Sequence, residues 1–132
     1  MDCIVFGPDL ALGIPVMDQS HRIIFNLLDA MQDLPRPAFD GALRQLAIEL
    51  TEDLAEENRL MQAINYEATL VHHAAHESLL ETIERAQRLL ANDDKLGTRE
   101  IIDSLANWIE AHINTMDLAL AVEITKLHCR KC

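Results

Sequence analysis

The sequence predicts an all-α fold, an up-down-up-down four-helix bundle preceded by an N-terminal arm. Hydrophobic residues make up 49% of the 132-residue chain and aromatic residues only 4%, which favours packed Leu, Ile and Ala helices over a β-sandwich. Apolar residues recur at helical spacing in four long segments separated by short polar or proline-containing links. Because sequential helices with short links usually pack as neighbours, these segments predict a bundle.

The first predicted elements are an arm over residues 1–17, punctuated by glycine and proline, and a helix that follows it. Asp18 is predicted to cap this helix, because an aspartate at the N-cap accepts a hydrogen bond from a free backbone N–H group. The helix is expected to run to about Leu34, since Pro35 and Pro37 end it. Its apolar stripe consists of Ile23, Ile24, Leu27, Leu28 and Met31.

The second helix is predicted from about Phe39 to Ile64 and the third from about Ala68 to Leu90, with a short turn at Asn65 between them. The stripe of the second helix consists of Leu43, Leu46, Ala47, Leu50, Leu54, Met61 and Ile64. The stripe of the third consists of Leu70, Leu79, Leu80, Ile83 and Leu90. Both stripes recur at the spacing of one helix face.

The fourth helix is predicted from about Thr98 to Lys126, after a loop over residues 92–97. We expect its Trp108, one turn before His112, to pack in the core; shielding of a site at His112 is the alternative. The bundle would then cover residues 18–127 of a single domain that spans residues 1–132, with residues 128–132 as a tail. The stripe of this helix consists of Ile101, Ile102, Leu105, Trp108, Ile109, Ile113, Met116, Leu120 and Ile124.

Net charge and cysteine content limit the partners and the cellular compartment that we expect. A net charge of −11 repels phosphate groups, so we expect neither a nucleic-acid partner nor an anionic membrane surface. No apolar run approaches the ~20 residues that span a bilayer, and the start of the chain does not resemble a signal peptide. Three cysteines in such a chain indicate a reducing cytoplasm. The CxxC from Cys129 to Cys132 is interpreted as a helix end and tail rather than a redox motif.

Two histidines four residues apart form the first candidate metal-binding pair. His72 and His76 face the same side of the third helix with Cβ atoms ~6 Å apart, close enough to share an ion. A histidine on an apolar face is more often an ordinary core residue, so this pair alone does not establish a site. His73 lies about 100° further round the helix and is expected at the surface.

The other helices contribute carboxylates and two more histidines. His112 and Asp117 are five residues apart, a rotation of ~140° on a regular helix, so we expect them to flank a two-ion centre rather than share one ion. Asp53 and Glu57 are four residues apart, although an acidic stretch is usually a solvated face. His21 begins the first helix. Imidazoles mixed with carboxylates suit iron or manganese better than a structural zinc, and burying so many ionisable groups without a metal is costly.

In these residues the chain resembles the hemerythrins, specifically the bacterial hemerythrin-like domains. The resemblance extends from about residue 6 to residue 120. It rests on four segments and on Trp108, one turn before the last of them. The segments are Gly13–His21, Glu57–Met61, His72–His76 and His112–Asp117.

The resemblance implies two iron ions with an oxo or hydroxo bridge. One iron, coordinatively full, would be held by His72, His76 and His112. Glu57 and Asp117 would bridge both irons. His21 would ligate the second iron, which keeps an open position for dioxygen. The apolar residues expected to line the oxygen pocket are Ile24, Leu50, Met61 and Ile113.

One position departs from the family pattern. The segment before the bridging glutamate reads His-Phe-x-x-Glu in the family, and here Asp53 and Leu54 replace the His and the Phe. If Asp53 ligates the second iron, directly or through water, its negative charge favours ferric over ferrous iron. The alternative is that Asp53 faces solvent while water fills the site.

These residues favour an oxygen- or redox-sensing domain whose diferrous site oxidises quickly. A reversible oxygen carrier, a peroxide-reducing enzyme and a metal-free phosphotransfer bundle are the alternatives. The partners implied are dioxygen, peroxide or another small ligand. Bacterial relatives of this domain are often joined to signalling modules, so a C-terminal output domain such as a diguanylate cyclase is also implied.

Overall fold

The computed structural model describes residues 6–130, with side chains described as far as residue 128. The described residues form helices and no β-strand, which confirms the predicted all-α bundle. The helices are α1 (Pro15–Met31), α2 (Ala38–Ala63), α3 (Thr69–Ala91), α4 (Lys95–His112) and α5 (Leu118–Arg130). A 3-10 turn at Pro8–Leu10 precedes α1, and a π-helical turn at Ile113–Asp117 joins α4 to α5. The residues at both ends of that turn keep right-handed helical dihedrals, so α4 and α5 form one continuous fourth column.

Sequential helices pack as neighbours in this bundle. Helix α1 packs on α2, α2 on α3 and α3 on α4, and α1 also contacts α4. A large apolar core fills the bundle, with Leu28, Phe39 and Leu46 fully buried. A smaller apolar cluster, formed by Met17, Met61 and Leu120, has contributions from α1, α2 and α5.

Candidate site residues lie between these two apolar clusters on α1 and on α2. On α1, His21 lies between Met17 of the small cluster and Ile24 of the large core. On α2, Glu57 lies between Leu50 of the large core and Met61 of the small cluster. The fold therefore encloses a polar layer between two apolar layers.

Asp18 does not cap the first helix as predicted, because α1 begins three residues earlier, at Pro15. Proline is favoured at the first helical position, since its missing N–H group would have no partner there. The Asp18 carboxylate instead accepts hydrogen bonds from the backbone N–H groups of Leu12 (2.8 Å) and Gly13 (3.1 Å). Gly13 has a φ of +80°, which glycine adopts without strain. Asp18 thus fixes the turn that leads into α1.

The link between α3 and α4 is shorter than predicted. Helix α4 begins at Lys95, inside the expected loop, and Asp94 is its N-cap. The Asp94 carboxylate accepts a hydrogen bond from the backbone N–H of Gly97 at 2.8 Å. Asp94 therefore marks the start of α4 and is not part of an extended loop.

Leu70 does not belong to the buried stripe of the third helix, contrary to the prediction. Its exposed fraction is 84%, whereas His72 is buried. Two residues along a helix amount to a rotation of about 200°, so Leu70 lies opposite the face that His72 presents to the bundle.

The three cysteines lie near the two ends of the chain. Cys3 and Cys132 lie outside the described residues, as does the side chain of Cys129, so the interpretation of the C-terminal CxxC stays a prediction. Helix α5 runs to Arg130.

Over the part of the chain that the structure describes, no helix has the length and apolar character needed to cross a membrane.

Candidate metal centre

All seven predicted metal-binding side chains are buried in the polar layer of the bundle. Each of the four helical columns contributes at least one of them. Their exposed fractions range from 1% to 8%, so the layer is nearly sealed from solvent. The seven residues are His21, Asp53, Glu57, His72, His76, His112 and Asp117.

Three histidines and two carboxylate oxygens converge on one side of the layer, which we call the histidine-rich position. The rings of His72, His76 and His112 contact one another edge to face, with centroids 4.4 to 5.3 Å apart. Glu57 Oε1 lies 3.0 Å from His72 Nε2 and 3.1 Å from His76 Nε2. Asp117 Oδ1 lies 3.0 Å from His72 Nε2 and 3.1 Å from His112 Nε2. These five side chains place their ligand atoms close enough to hold one cation.

One histidine and three carboxylates converge on the other side, which we call the carboxylate-rich position. His21 Nε2 lies 3.2 Å from Asp117 Oδ2 and 3.3 Å from Glu57 Oε2. Asp53 Oδ2 lies 3.7 Å from the same nitrogen. The ligand atoms of His21, Asp53 and Glu57 are also close enough to hold a cation.

Glu57 and Asp117 each face both positions. In each carboxylate one oxygen points to the histidine-rich position and the other to His21. A carboxylate that divides its oxygens in this way can bind two cations at once. The geometry therefore suits a pair of ions bridged by two carboxylates.

The π-helical turn brings His112 and Asp117 together. The expectation that a five-residue gap would point them about 140° apart assumed a regular helix and is wrong here. In a π-helical turn the hydrogen bonds run between residues five apart, so such residues lie one above the other. His112 and Asp117 consequently share the histidine-rich position, while Asp117 still reaches His21.

Several polar atoms in this layer fit a cation better than they fit one another. His76 Nε2, His112 Nε2 and Asp117 Oδ1 are buried and have no hydrogen-bond partner of acceptable geometry among the described residues. The two nitrogens nevertheless lie 3.1 Å from carboxylate oxygens. Buried polar atoms without partners are costly, and a metal ion is a partner that imidazole nitrogens and carboxylate oxygens can share. The residues present therefore fit a two-metal centre.

The sequence comparison agrees with this donor set. The family model described as "Hemerythrin HHE cation binding domain" matches residues 12–122, which include all seven side chains. This chain belongs to the hemerythrin family. Hemerythrin domains bind a non-haem metal centre, and the cluster described above is where this chain has the side chains to do so.

Bacterial proteins named Bacteriohemerythrin are similar to this hemerythrin-family chain over most of its length. The protein of Ralstonia nicotianae is 27% identical over 117 residues, which cover 89% of this chain and 85% of that protein. The protein of Stenotrophomonas maltophilia is 28% identical over 129 residues, covering 94% and 83%. The protein of Pseudomonas paraeruginosa is 27% identical over 119 residues, covering 86% and 76%. No solved structure matches the chain with comparable significance.

Asp53, at the position where the hemerythrin pattern has a histidine, faces the site. Its exposed fraction is 6%, and its carboxylate lies beside His21 and Glu57. The alternative in which Asp53 faces solvent is therefore wrong. Asp53 and Glu57, four residues apart on α2, share one buried face instead of forming a solvated acidic face.

Without a metal ion, the pKa values of the buried histidines and carboxylates depend on how these side chains pair. Burial lowers the pKa of His21, but hydrogen bonds to Asp117 and Glu57 outweigh it and raise the pKa to about 10. Burial likewise lowers the pKa of His72, but hydrogen bonds to Asp117 and Glu57 outweigh it and raise the pKa to about 9. Burial raises the pKa of Glu57, but hydrogen bonds from the histidines outweigh it and lower the pKa to about 2. Burial raises the pKa of Asp117 as well, but its close contacts with His112, His21 and His72 outweigh burial and lower the pKa.

Asp53 is shifted in the opposite direction from the other two carboxylates. Its burial, and next the negative charge of Glu57, raise its pKa well above the ordinary value. Its contact with His21 is longer than those of Glu57 and Asp117, so the histidine compensates it least. In the metal-free protein Asp53 is thus the carboxylate most inclined to hold a proton.

Trp108 covers the histidine-rich position instead of packing in the core as predicted. Its ring stacks on that of His112, with centroids 4.9 Å apart and planes at 9°. The Trp108 side chain is 37% exposed, whereas His112 is only 8% exposed. The sequence signal for this contact was the four-residue spacing between the two, which places them on one helix face.

The neighbours of the site include His73 and the apolar residues that were expected to line an oxygen pocket. His73 is exposed as expected and pairs with Glu77 at 3.2 Å. The four residues expected to line an oxygen pocket are all buried, but they divide between the two apolar clusters. Ile24, Leu50 and Ile113 belong to the large core and Met61 to the small cluster.

Proposed function

We propose that this chain is a non-haem diiron domain that senses oxygen or redox state, because its diferrous site oxidises rapidly on contact with dioxygen. In this proposal the domain is cytoplasmic and regulates a fused or partner signalling module such as a diguanylate cyclase. The oxidation state of the centre would be the signal.

The proposal assigns one iron to each position of the site. The histidine-rich position, with His72, His76 and His112, holds an iron whose protein ligands leave little room for another ligand. The carboxylate-rich position holds the second iron through His21 and Asp53. Glu57 and Asp117 would help to hold both irons, and an oxo or hydroxo group is expected between the ions. A bound iron pair supplies one-electron redox chemistry at each ion and a place for dioxygen to bind.

The observation that carries the proposal is the buried carboxylate of Asp53 beside His21. A histidine ligand is neutral, whereas Asp53 adds a third carboxylate to the carboxylate-rich position. Negative charge in a layer with little access to water lowers the energy of the more highly charged ferric state. This charge favours an ion that is easily oxidised over one that releases dioxygen unchanged.

The burial of the site supports the same conclusion. Because the seven side chains are at most 8% exposed, water screens the Asp53 charge weakly. The effect of one carboxylate on the redox equilibrium is therefore larger here than at a protein surface.

The test replaces Asp53 with the residue that the family pattern has. Asp53→His should slow the oxidation of the anaerobically loaded diferrous protein by air-saturated buffer about tenfold or more, as measured by stopped-flow absorbance. Asp53→Asn removes the charge at nearly constant size and should slow it as well. The matched control is Glu52→His, on the exposed face of α2 next to Asp53. Unchanged or faster oxidation in both Asp53 variants, with two irons still bound, would refute the proposal.

A further inference from the structure

The two positions of the site offer different donor atoms. The histidine-rich position combines three imidazole nitrogens with one oxygen each from Glu57 and Asp117. The carboxylate-rich position combines the single nitrogen of His21 with oxygens from Asp53, Glu57 and Asp117. The difference is one of chemical type as well as number, because imidazole and carboxylate prefer different metals.

The distances make the carboxylate-rich position the looser of the two. In the histidine-rich position every nitrogen lies within 3.1 Å of a carboxylate oxygen. In the carboxylate-rich position the shortest distance is 3.2 Å and Asp53 lies 3.7 Å from His21. A cation there must draw Asp53 inward.

We propose that the two positions fill in order and with different selectivity: the histidine-rich position takes iron first, and the carboxylate-rich position fills second and also accepts Mn²⁺. This inference rests on the proposed diiron function. Imidazole suits iron, whereas carboxylate suits manganese. Any such site binds Fe²⁺ more tightly than Mn²⁺, but the advantage of iron shrinks where carboxylates replace imidazole.

His21 makes the carboxylate-rich position more than a cluster of acidic residues. Its side chain is 98% buried, being 2% exposed, and its Nε2 points at three carboxylates. Its Nδ1 has no hydrogen-bond partner in the described part of the chain. A nitrogen donor in this setting indicates a transition-metal cation rather than Ca²⁺ or Mg²⁺, which take oxygen ligands.

Trp108 provides a built-in reporter of the first position. It is the single tryptophan of the chain and stacks on His112, a member of the histidine-rich position. A paramagnetic ion bound to His112 will quench its fluorescence. The carboxylate-rich position has no such contact, since no aromatic stack on His21 occurs within the described residues.

The test is an anaerobic titration of the metal-free 132-residue chain with Fe²⁺, in which binding is followed by Trp108 fluorescence and by metal analysis after desalting. We expect the first equivalent to cause most of the quenching and the second to bind with little further change. Equal quenching by both equivalents would overturn the order of filling.

Selectivity is tested by loading the protein with Fe²⁺ and an approximately tenfold excess of Mn²⁺. We expect about one iron and about one manganese per chain, with the Mn²⁺ electron paramagnetic resonance signal coupled to the neighbouring ion. Asp53→His should raise iron to about two per chain and remove most manganese, while Glu52→His should match the parent chain. If Asp53→His fails to fold, Asp53→Asn should lose the manganese and keep the first iron.

The possible failures are distinguishable. Two irons and no manganese in the parent chain would overturn the selectivity proposal and leave the diiron function standing. No ion bound at either position would overturn both proposals. Manganese binding that is unchanged in Asp53→His and Asp53→Asn would show that Asp53 does not set the selectivity.

Discussion

His112 Nε2 and Asp117 Oδ1 lie 3.1 Å apart although the two residues are five positions apart in one helical column. The π-helical turn between them makes this contact possible, because it aligns residues at that spacing. The same turn lets Asp117 Oδ2 reach His21 on α1, 3.2 Å away. A local change of helix type thus gives Asp117 access to both positions of the site.

Glu57 is expected to be required for both positions. Glu57→Gln removes a buried charge and leaves one carbonyl oxygen, which can face only one position. We predict that bound iron falls from two ions to about one or fewer per chain, measured by metal analysis after anaerobic loading. The control is Glu56→Gln, since Glu56 pairs with Arg59 at the surface. Two irons retained in Glu57→Gln would contradict a bridging role.

The stability of the metal-free protein should fall as pH rises above neutrality. The charged forms of His21 and His72, whose pKa values are raised to about 10 and about 9, contribute stability that is fully present below 6.5. This contribution is lost as pH rises through those raised values. The raised pKa of Asp53 acts in the same direction. The lowered pKa of Glu57 gives stability above 4.5 that is lost as pH falls towards about 2.

Urea unfolding of the metal-free chain at several pH values checks this expectation. The free energy of unfolding should be largest between pH 4.5 and 6.5 and should decline towards pH 9. The iron-loaded protein should show a smaller decline, because the metal replaces the protons that the ligands would otherwise lose. Metal-free protein that gains stability between pH 6.5 and 9 would contradict the pairing described here.

Trp108 is expected to hold the ring of His112 in place and keep water from it. Trp108→Ala should accelerate the removal of one iron by a chelator about tenfold, in the range found for residues that support metal ligands. Trp108→Phe keeps a ring on His112 and should have a much smaller effect. Removal of the second iron should be less affected, since Trp108 stacks on His112 at the other position. Equal rates in all three proteins would mean that the stack does not support the metal.

Arg99 is expected to stabilise the bundle without affecting the metal. Its guanidinium donates hydrogen bonds to carbonyl oxygens at the end of α1 and in the link after it, those of Met31 (3.0 Å), Gln32 (3.0 Å) and Leu34 (2.9 Å). It also covers the ring of Phe39, 4.7 Å from the ring centroid. Arg99→Ala should lower the free energy of unfolding by about 2–3 kcal/mol, because hydrogen bonds from a charged group are lost together.

The control for this change is Arg36→Ala. Arg36 pairs with Asp40 and Asp93 at the surface, so its loss should lower the free energy of unfolding much less than Arg99→Ala does. Iron content should be unchanged in both variants, since Arg99 and His112 are separated by about 20 Å of helix. A loss of iron in Arg99→Ala would show that the two ends of the bundle are coupled.

Periodicity predicted the bundle, and spacing together with the resemblance to the hemerythrins predicted the residues that meet in its polar layer. The four-residue spacings of His72 with His76 and of Asp53 with Glu57 place each pair on one face of a regular helix, and the structure keeps them there. The angle predicted between His112 and Asp117 was wrong, because hydrogen bonding along the backbone changes within the turn and no residue type there indicates it.

Other differences arose where a residue had two physically reasonable partners. Asp18 was expected to bond the N–H groups of its own helix, but Pro15 starts the helix earlier and leaves the preceding turn for Asp18 to bond. Trp108 was expected in the core as part of the apolar stripe of the fourth helix, yet its four-residue spacing from His112 decides its place. Leu70 shows that hydrophobicity alone does not put a residue on the buried face.

The most direct test of the central claim is anaerobic reconstitution with ferrous iron, followed by metal analysis and an optical spectrum before and after oxygen is added. We expect two irons per chain and rapid conversion to a stable ferric spectrum that removal of oxygen does not reverse. A long-lived spectrum that disappears when oxygen is removed would contradict the sensing proposal and favour a carrier. One iron or none per chain would contradict the diiron centre itself.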